Sequence, residues 1–424
     1  MLELKFIVNN IDFIIKKLQK RQNDFSYLKE LINLNQIRKT IIFQIEKIRY
    51  QNNIFSNKIE KLKQKKKKIE ILEKNKISKS KLKELEQSLE KIQKKINKIL
   101  YSIPNIPHDS VPVGKNSQNN VEIYKFLEPY PKKFKIKNHI ELNKKLKIFD
   151  FEKAAKITGS RFVVLKQMGA KLERALINFM IDNHIEKGYK EIMTPFIVNE
   201  QSMIASGQLP KFRKEVFQLK METKKWYLNP TAEVPIVNLH RDEILDIKKL
   251  PIKYVGYTTC FRQEAGAAGK DTKGIFRQKQ FNKVELIQFS EPKDSYKILE
   301  QMLKDSEDIL KKLKIPYRVI LLSTGDLGFS MAKTYDIEVW MPGQKKYREI
   351  ASISNAENFQ AIRANIKFKN QNINEYIHTL NASALAIGRT IIAILENYQN
   401  EDNSITIPDA LISYMGTKKI TAKT

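Results

Sequence analysis

The sequence is poor in the residues that build disulfides and metal cages. It holds one cysteine, Cys260, and five histidines among 424 residues. A disulfide framework and a metal cage built from cysteines each need several cysteines, so both are excluded. The sequence also lacks a Walker loop, a GxGxxG fingerprint and an HExxH motif. If the chain handles a nucleotide, it does not use P-loop or Rossmann chemistry.

Long apolar runs are also missing. No window of about 18 apolar residues occurs, so no transmembrane helix is expected. The stretch 1–20 mixes apolar with charged side chains at helical spacing. It lacks the apolar core of a signal peptide. We therefore expect a cytoplasmic protein without a membrane partner.

Acidic residues are heavily outnumbered by basic ones. There are 77 Lys and Arg against 47 Asp and Glu, which gives a formal net charge of +30. Such a field favours polyanionic partners, above all nucleic acid. Lys, Ile and Asn are abundant along the whole chain, however, so part of the charge reflects general composition. Charge alone leaves nucleic-acid binding open.

The first hundred residues carry the pattern of a coiled coil. One apolar seam runs through Ile41, Ile45, Ile48, Phe55, Ile59, Leu62 and Ile69, with Asn52 and Lys66 at its two polar positions. A second seam runs through Leu82, Leu85, Leu89, Ile92, Ile96 and Ile99. Only a repeat every 3.5 residues keeps such a seam facing its partner. The polar stretch 73–80 interrupts the seam, so the chain is predicted to turn there into an antiparallel hairpin whose first helix spans roughly 50–60 Å.

A run of lysines lies near the predicted tip of this hairpin, at Lys61, Lys63 and 65–68. Two interpretations stay open for it. It is either an ordinary solvated helix face or a set of phosphate contacts on an arm that reaches a large partner.

The rest of the chain changes character after residue 103. Prolines 104, 107 and 112 and Gly114 punctuate a polar stretch. Such a stretch is typical of a linker. Helices are then predicted over 170–187, 295–313 and 381–398. Strands are predicted over 253–264, 278–289, 318–322, 337–340 and 347–354. Strand runs with few βαβ alternations indicate an α+β domain with an antiparallel sheet.

The segment 258–289 is the most informative for chemistry. A strand is predicted to end at Arg262 and Glu264, whose side chains would share a face because strand side chains alternate. This pair could bind a phosphate and an amine. A glycine-containing loop adds Lys270, Lys273 and Arg277, suited to a polyphosphate, and Phe281 could stack on a base. Alone, the motif at 261–264 is more typical of a plain hairpin with surface ion pairs.

Two further segments carry weaker signals. Glu349 and Ser352 combine a carboxylate with a hydroxyl, a partial ligand set for Mg²⁺, although a half-exposed strand explains them as well. Arg389 lies in the first turns of an apolar helix, where an arginine either meets an anion or reaches solvent.

The order of these signals resembles a known family. Pro195 after a helix, the hairpin at 261–264 and the helix with Gly388 and Arg389 are similar to the three signature motifs of class II aminoacyl-tRNA synthetases. Segments that resemble the seryl-tRNA synthetases of bacterial type are 103–108, 151–155, 159–162, 207–212, 230–235, 324–328 and 333–336. The resemblance covers nearly the whole chain, including the coiled-coil arm.

The resemblance implies a fold, an activity and partners. The fold would be a class II antiparallel sheet flanked by helices, with a tRNA-binding domain at 1–103, a linker at 104–131 and a catalytic domain at 132–424. The activity would be that of an ATP-dependent serine–tRNA ligase forming seryl-adenylate and then seryl-tRNA. The partners would be L-serine, tRNA(Ser), tRNA(Sec) where the organism has one, and a second copy of the chain, joined through residues 188–198.

The resemblance also implies the site residues. Arg262 and Arg389 would be catalytic. ATP would bind at Arg262, Gln263, Glu264, Arg277, Phe281, Glu349, Ile350, Ala351, Ser352 and Arg389. Serine would bind at Thr231, Ala232, Glu233, Arg262, Glu285 and Ser383. Mg²⁺ would bind at Glu349 and Ser352.

The chain departs from the family pattern at a few positions. Lys279 stands where the family usually has histidine, and Ala351 replaces a serine. Ala382 and Ala384 replace glycines, which allow a closer backbone approach than alanine does. Two rival functions follow from the fold: an inactive RNA-binding paralogue, and an enzyme that loads an amino acid onto a carrier protein. Retention of Arg262, Glu264, Glu349 and Arg389 disfavours the first, and the long arm disfavours the second.

Overall fold

A computed structural model describes residues 1–61, 65–220, 223–267, 269, 271, 273–371 and 373–422. Leu62, Lys63 and Lys270 lie outside these residues. The expectations for the lysines at 61–68 and the seam at 59–69 concern side chains that are not described either. The chain divides into two compact units, one comprising Leu2–Gln19 and Asn23–Ile103 and the other comprising Met1, Lys20–Gln22 and Pro104–Thr424.

The α-helices are α1 (Leu4–Asn9), α2 (Ile11–Gln19), α3 (Glu30–Lys61), α4 (Lys65–Ser102), α5 (His139–Leu146), α6 (Phe151–Ile157), α7 (Gln167–Glu186), α8 (Glu200–Ala205), α9 (Glu233–Val237), α10 (Ser295–Lys312), α11 (Phe359–Ala364), α12 (Ile387–Asn397) and α13 (Ile412–Met415).

The β-strands are β1 (Val121–Phe126), β2 (Phe149–Asp150), β3 (Val164–Leu165), β4 (Lys190–Glu191), β5 (Ile197–Asn199), β6 (Gln218–Leu219), β7 (Trp226–Leu228), β8 (Ile244–Asp246), β9 (Ile252–Phe261), β10 (Gln280–Ser290), β11 (Tyr317–Leu321), β12 (Lys333–Met341), β13 (Lys346–Asn355), β14 (Lys367–Asn370), β15 (Ile373–Tyr376), β16 (His378–Ala386), β17 (Ile405–Thr406) and β18 (Lys419–Ile420).

Helices α3 and α4 form the predicted antiparallel hairpin. Arg38 Nε donates to Gln93 Oε1 at 3.1 Å, and Arg49 Nη2 donates to Glu86 Oε1 at 2.9 Å. As the residue number rises along α3 from Arg38 to Arg49, the number of its partner on α4 falls from 93 to 86. The two helices are therefore antiparallel. At about 1.5 Å of rise per residue, α3 is roughly 48 Å long. This length is close to the predicted span.

The predicted position of the turn in this hairpin is wrong. The polar stretch 73–80 lies inside α4 and is helical. Its Ser78 Oγ donates to Oδ1 of Asn52 at 2.6 Å, across the pair of helices. A polar residue on one helix thus meets a polar seam residue on the other, and the pair forms a polar layer between the two helices.

The second unit is built on an eight-stranded sheet in the order β1-β11-β12-β13-β16-β10-β9-β4. Every neighbouring pair is antiparallel except β4 with β9. Strand β1 falls within 104–131, the stretch predicted to be a linker. That prediction needs correction, because Val121–Phe126 pairs with β11 and belongs to the sheet.

A strand was missed where a longer helix is predicted. Residues His378–Ala386 form β16, which lies between β13 and β10, and α12 begins only at Ile387. The prediction of a helix over 381–398 is therefore wrong for 381–386. Ala382 and Ala384 are fully buried in the centre of the sheet. Alanine has high helix propensity, but packing decides at such a position.

The large core lies between one face of this sheet and the long helices. Helix α10 buries Leu299, Met302, Leu303, Ile309 and Leu310. Their spacing of three and four residues gives one apolar face. These residues join the core formed by Val284 and Leu286 of β10. The side chains of the odd-numbered residues of β10 point to the opposite face of the sheet, because strand side chains alternate. None of the helices in the described residues is long and apolar enough to cross a bilayer.

Candidate active site

A cavity of about 310 Å³ opens on the sheet face opposite the large core. Strands β10, β13 and β16 form its floor, and the β9–β10 loop and the start of α12 form its sides. The sequence-predicted residues that line it are Thr231, Glu233, Arg262, Glu264, Arg277, Phe281, Glu285, Glu349, Ile350, Ser352, Ser383 and Arg389. Segments that lie far apart in the sequence, between positions 231 and 389, therefore meet in one place.

Three predicted site residues do not line the cavity. Ala232 and Ala351 are buried and pack in hydrophobic clusters. Gln263 is held through its backbone, whose N–H donates to the carbonyl of Glu215 at 2.8 Å. The side chains of these three residues are therefore not placed to contact a ligand in the cavity.

The pairing of Arg262 with Glu264 has a different cause from the predicted one. Strand β9 ends at Phe261, and Glu264 has φ of +55°, which is left-handed backbone. Strand alternation therefore does not apply to the pair. Both side chains reach the cavity because the chain turns after the strand, and left-handed backbone in a non-glycine residue is typical of functional sites.

Arginines form one end of the cavity. The Arg262 guanidinium lies 5.2 Å from the ring centre of Phe281, and its Nε donates to the carbonyl of Pro230 at 3.2 Å. Arg277 Nη1 lies 3.3 Å from Glu264 Oε2, and its Nε lies 3.3 Å from Asp271 Oδ2. Together with a third arginine, these planar cations near an aromatic ring suit a nucleoside polyphosphate.

The third of these cations, Arg389, is tied to Glu349. Its Nη1 donates to the Glu349 carbonyl at 2.7 Å and lies 3.4 Å from the Glu349 side-chain Oε1. The positive charge of Arg389 lowers the pKa of Glu349 below its ordinary value, although burial acts the other way. Glu349 is thus a carboxylate at neutral pH.

A second carboxyl group, which sequence reasoning missed, supports Ser352. The Ser352 Oγ donates to Oδ1 of Asp336 at 2.5 Å. Burial, reinforced by the negative charge of Glu349, raises the pKa of Asp336 well above its ordinary value. Because the Ser352 hydrogen points at Asp336, the lone pairs of its oxygen are left for a cation or a donor.

The other end of the cavity is a small polar pocket. The Thr231 hydroxyl donates to Glu285 Oε2, and the Glu233 backbone N–H reaches the same oxygen at 3.2 Å. Lys283 Nζ lies 2.8 Å from Glu285 Oε1 and donates to Thr231 Oγ1 at 3.0 Å. The buried Glu285 is therefore paired with a cation and hydrogen-bonded at both oxygens, as a buried charge must be.

Glu233 is the buried acid of this pocket that lacks a cation of its own among the described residues. Its Oε1 accepts a hydrogen bond of 2.6 Å from Nε2 of Gln360. Burial, followed by the nearby charge of Glu285, raises the pKa of Glu233 to about 7. Such a group gains from an ammonium ion placed beside it.

Ser383 completes the pocket from β16, opposite Glu285 of β10. Its neighbours Ala382 and Ala384 lie in the large core, on the other face of the sheet. The replacement of glycine by alanine at these positions therefore adds atoms to the core and leaves the pocket side of β16 unchanged.

Lys279 and Lys273 lie outside the cavity lining. Lys279 acts through its backbone, since its carbonyl accepts from the Arg262 N–H at 2.9 Å. Lys273 is exposed. Neither side chain lines the cavity, so the loop contributes Arg277 alone among the described cations predicted there.

Sequence reasoning missed several lining or supporting residues: Gln208, Phe276, Lys283, Asp336, Ser354, Gln360 and Asn381. Strand alternation from Phe281 to Glu285 would have found Lys283, because the three odd-numbered side chains share a face. The same rule applies to Ser354, two residues after Ser352 on β13, and to Asn381, two residues before Ser383 on β16. Phe276 adjoins Arg277, whereas Gln208, Asp336 and Gln360 come from other segments.

Comparisons with known proteins show which family the chain resembles. A model of the tRNA synthetase class II core domain (G, H, P, S and T) matches residues 217–398, and a model of the seryl-tRNA synthetase N-terminal domain matches residues 1–107. Among similar proteins, the serine–tRNA ligase of Phytoplasma mali is 56% identical over 420 residues, which are 98% of this chain and 99% of that protein. The serine–tRNA ligase of Acholeplasma laidlawii is 57% identical over 424 residues, which are 99% of this chain and 100% of that protein.

The chain belongs to the seryl-tRNA synthetase family. Membership confirms the predicted family, the α+β class II fold with its helical arm, and the enzyme class of aminoacyl-tRNA ligase. The roles of the individual side chains stay predictions.

Solved structures of seryl-tRNA synthetases are similar over the full length. One from Pyrococcus horikoshii, complexed with ATP, has a TM-score of 0.89 and 39% identity, and the match covers 99% of both chains. A cytoplasmic serine–tRNA ligase from Naegleria fowleri, in complex with AMP, has a TM-score of 0.85 and 33% identity, and the match covers 100% of this chain and 99% of that one.

Proposed function

We propose that this chain attaches L-serine to tRNA(Ser) in two steps, with ATP as the energy source. The observation that carries this proposal is the layout of the cavity. Three arginines that suit a triphosphate adjoin a small pocket with two buried carboxyl groups and two hydroxyl groups. The names of the relatives and the nucleotides in the two solved structures support the same activity.

In the first step, the serine carboxylate attacks the α-phosphorus of ATP. The new bond joins a carboxylate oxygen to phosphorus, the bond to the β-phosphate oxygen breaks, and pyrophosphate leaves. A carboxylate is already a nucleophile, so no general base is needed. Arg262 holds the α-phosphate and the serine carboxylate, and Arg277 and Arg389 neutralise the leaving phosphates. Phe281 and Glu264 bind the adenine.

Glu349 and Ser352 would hold Mg²⁺ together with oxygens of the nucleotide. The residues fit this role, because Glu349 is ionised and the Ser352 lone pairs are left open by the hydrogen bond to Asp336. Mg²⁺ takes oxygen ligands and would neutralise phosphate charge. Among the described residues, no group of three or more Asp, Glu, His or Cys side chains is placed to hold a metal ion.

The small pocket would select serine. The carboxyl groups of Glu233 and Glu285 suit the ammonium group, and Glu285 with Ser383 suits the side-chain hydroxyl. Lys283 offsets the charge of Glu285 and keeps its oxygens in place. A pocket that hydrogen-bonds a substrate hydroxyl rejects the analogue that lacks it.

In the second step, a hydroxyl of the terminal ribose of the tRNA attacks the adenylate carbonyl, and AMP leaves. The α3–α4 hairpin would lie along the RNA by its shape, as is usual for double-helical RNA. Substrates would include tRNA(Sec) where it exists, and the enzyme would act as a homodimer in the cytoplasm, where tRNA is charged.

The direct test is the charging of purified tRNA(Ser) with labelled serine. Arg262→Ala should reduce the rate by roughly 10²–10³, the range for one lost stabilising donor. Arg318→Ala is the matched control, because Arg318 pairs with Glu338 and Glu122 at a distant edge of the sheet. A wild-type chain that charges no tRNA would refute the function, and an Arg262→Ala chain within threefold of wild type would refute the role of Arg262.

A further inference from the structure

A buried histidine connects three elements behind the β9–β10 loop. His139 begins α5, and its Nδ1 lies 3.0 Å from Oε1 of Glu396, near the end of α12. Glu396 is fully buried, and its Oε2 accepts from the backbone N–H of Gly343, in the β12–β13 turn, at 2.9 Å. The ring of His139 is thus fixed in place from one side.

The opposite edge of this ring faces the loop that borders the cavity. Gly274 belongs to that loop and has φ of +75°. A Cβ atom built on Gly274 would lie 2.1 Å from Nε2 of His139, so the ring leaves no room for any side chain there. Nε2 is buried and has no hydrogen-bond partner among the described residues. The ring therefore limits the position of the Gly274 backbone by steric contact and not by a hydrogen bond.

The residues that follow Gly274 enter the cavity directly. Phe276 is buried, with the Arg348 guanidinium 3.7 Å and the Arg389 guanidinium 4.7 Å from its ring centre. Arg277 comes next and lines the cavity. The backbone fixed by His139 is therefore close in the chain to a cation assigned to the leaving phosphates.

We propose that His139 is a positioning residue for ATP: its ring sets where the β9–β10 loop re-enters the site and so places Phe276 and Arg277. The proposal rests on the proposed function in so far as Arg277 binds ATP phosphates. Loss of about 1 Å in position at such a contact can cost up to about 10²-fold in rate. The small polar pocket for serine is formed by Thr231, α9, β10 and β16. Arg262, which would hold the serine carboxylate, lies at the opposite end of the loop from Gly274, so the affinity for serine should not change.

Substitution of His139 separates this role from simple packing. His139→Asn can still donate to Glu396 but lacks the ring edge that faces Gly274. We expect both His139→Ala and His139→Asn to raise the KM for ATP in pyrophosphate exchange about tenfold, with the KM for serine within twofold of wild type. If the role were only to satisfy Glu396, His139→Asn would restore the ATP KM.

His184 provides the matched control. It is also a buried histidine, packed edge-on against Tyr189 with 5.7 Å between ring centres, and it lies on α7 away from the loop. His184→Ala should lower the melting temperature about as much as His139→Ala and leave the KM for ATP within twofold. An equal rise in both variants would overturn the proposal, since it would show a general effect of an emptied core site.

A double-mutant cycle tests the contact itself. Gly274→Ala should raise the ATP KM strongly in the wild-type background and much less with His139→Ala, because the space is then free and only the φ strain remains. Equal effects in both backgrounds would contradict the contact.

Hydrogen exchange of the peptide 262–279 gives a readout without activity. Exchange should quicken in His139→Ala and stay unchanged in His184→Ala, and unchanged exchange in both variants would overturn the proposal. Absence of serine-dependent pyrophosphate exchange in wild type would refute the proposed function, and the hydrogen-exchange result would still decide the role of His139.

Discussion

The charges of single residues explain how the pocket is prepared for an amino acid. Glu285 is paired with Lys283 before any substrate arrives, whereas Glu233 is buried without such a cation among the described residues. The two acids therefore differ in state. Glu285 offers a fixed, hydrogen-bonded carboxylate, and Glu233 awaits the positive charge that the ammonium group of serine would bring.

This difference predicts a pH dependence of serine binding. Burial in the pocket, followed by the charge of Glu285, raises the pKa of Glu233 to about 7, so the group is mostly protonated at pH 6 and mostly ionised at pH 8. An ammonium ion prefers the ionised form, and the serine KM should therefore fall about tenfold from pH 6 to pH 8.

The measurement is the serine KM in pyrophosphate exchange across this range, with the ATP KM as the internal reference. Glu233→Gln, which cannot ionise, should raise the serine KM and remove its dependence on pH. A wild-type serine KM that stays constant between pH 6 and pH 8 would show that Glu233 does not face the ammonium group.

At the same scale, the sequence predicted most of the cavity but few of the residues that support it. Arg262, Glu349 and Arg389 were found because they stand in short motifs. Gln360 was missed because it acts through one hydrogen bond from a segment far along the chain. Asp336 was missed because its contact with Ser352 depends on the register of β12 with β13. No local pattern reports such a contact, and only the folded arrangement brings it about.

Among the elements, the coiled-coil hairpin contains a polar interruption whose role depends on the residue it meets on the other helix. Asn52 is a polar position within the seam of α3, and the stretch 73–80, which contains Ser78, is the one predicted to be a turn. Because the two side chains meet across the helix pair, neither ends its helix. Strand β16 is the converse case, where small residues that favour helix fill the centre of a sheet.

The hairpin should serve tRNA and leave adenylation unchanged. Arg38 and Gln93 are hydrogen-bonded across the pair at 3.1 Å, so their helices can be joined there by a short Gly/Ser linker that replaces 39–92. This variant should keep serine-dependent pyrophosphate exchange within about twofold of wild type. It should lose tRNA charging, because the proposed RNA contacts would lie on the removed part.

Comparison of the two assays on the same preparation checks this prediction. Equal losses in exchange and charging would mean that the arm supports the catalytic unit. Undiminished charging would mean that the arm does not bind the tRNA.

For the whole molecule, the proposed dimer predicts cooperation between two chains. If the arm of one subunit presents tRNA to the other subunit, a chain without 39–92 and a chain with Arg262→Ala should complement each other. Each homodimer should be inactive in charging, and the mixed dimer should regain activity because one intact arm and one intact site remain. Co-purification on two different tags proves that the mixed dimers form, and their failure to charge tRNA would rule out this arrangement.

The central claim is that one cavity activates serine with ATP and rejects amino acids without its hydroxyl. ATP–pyrophosphate exchange, measured without tRNA for each of the standard amino acids, tests it most directly. We predict exchange with serine, and exchange with alanine lower by about 10⁴ or more, since Glu285 and Ser383 would lose their partner. Comparable exchange with alanine and serine, or no exchange with serine, would contradict the account.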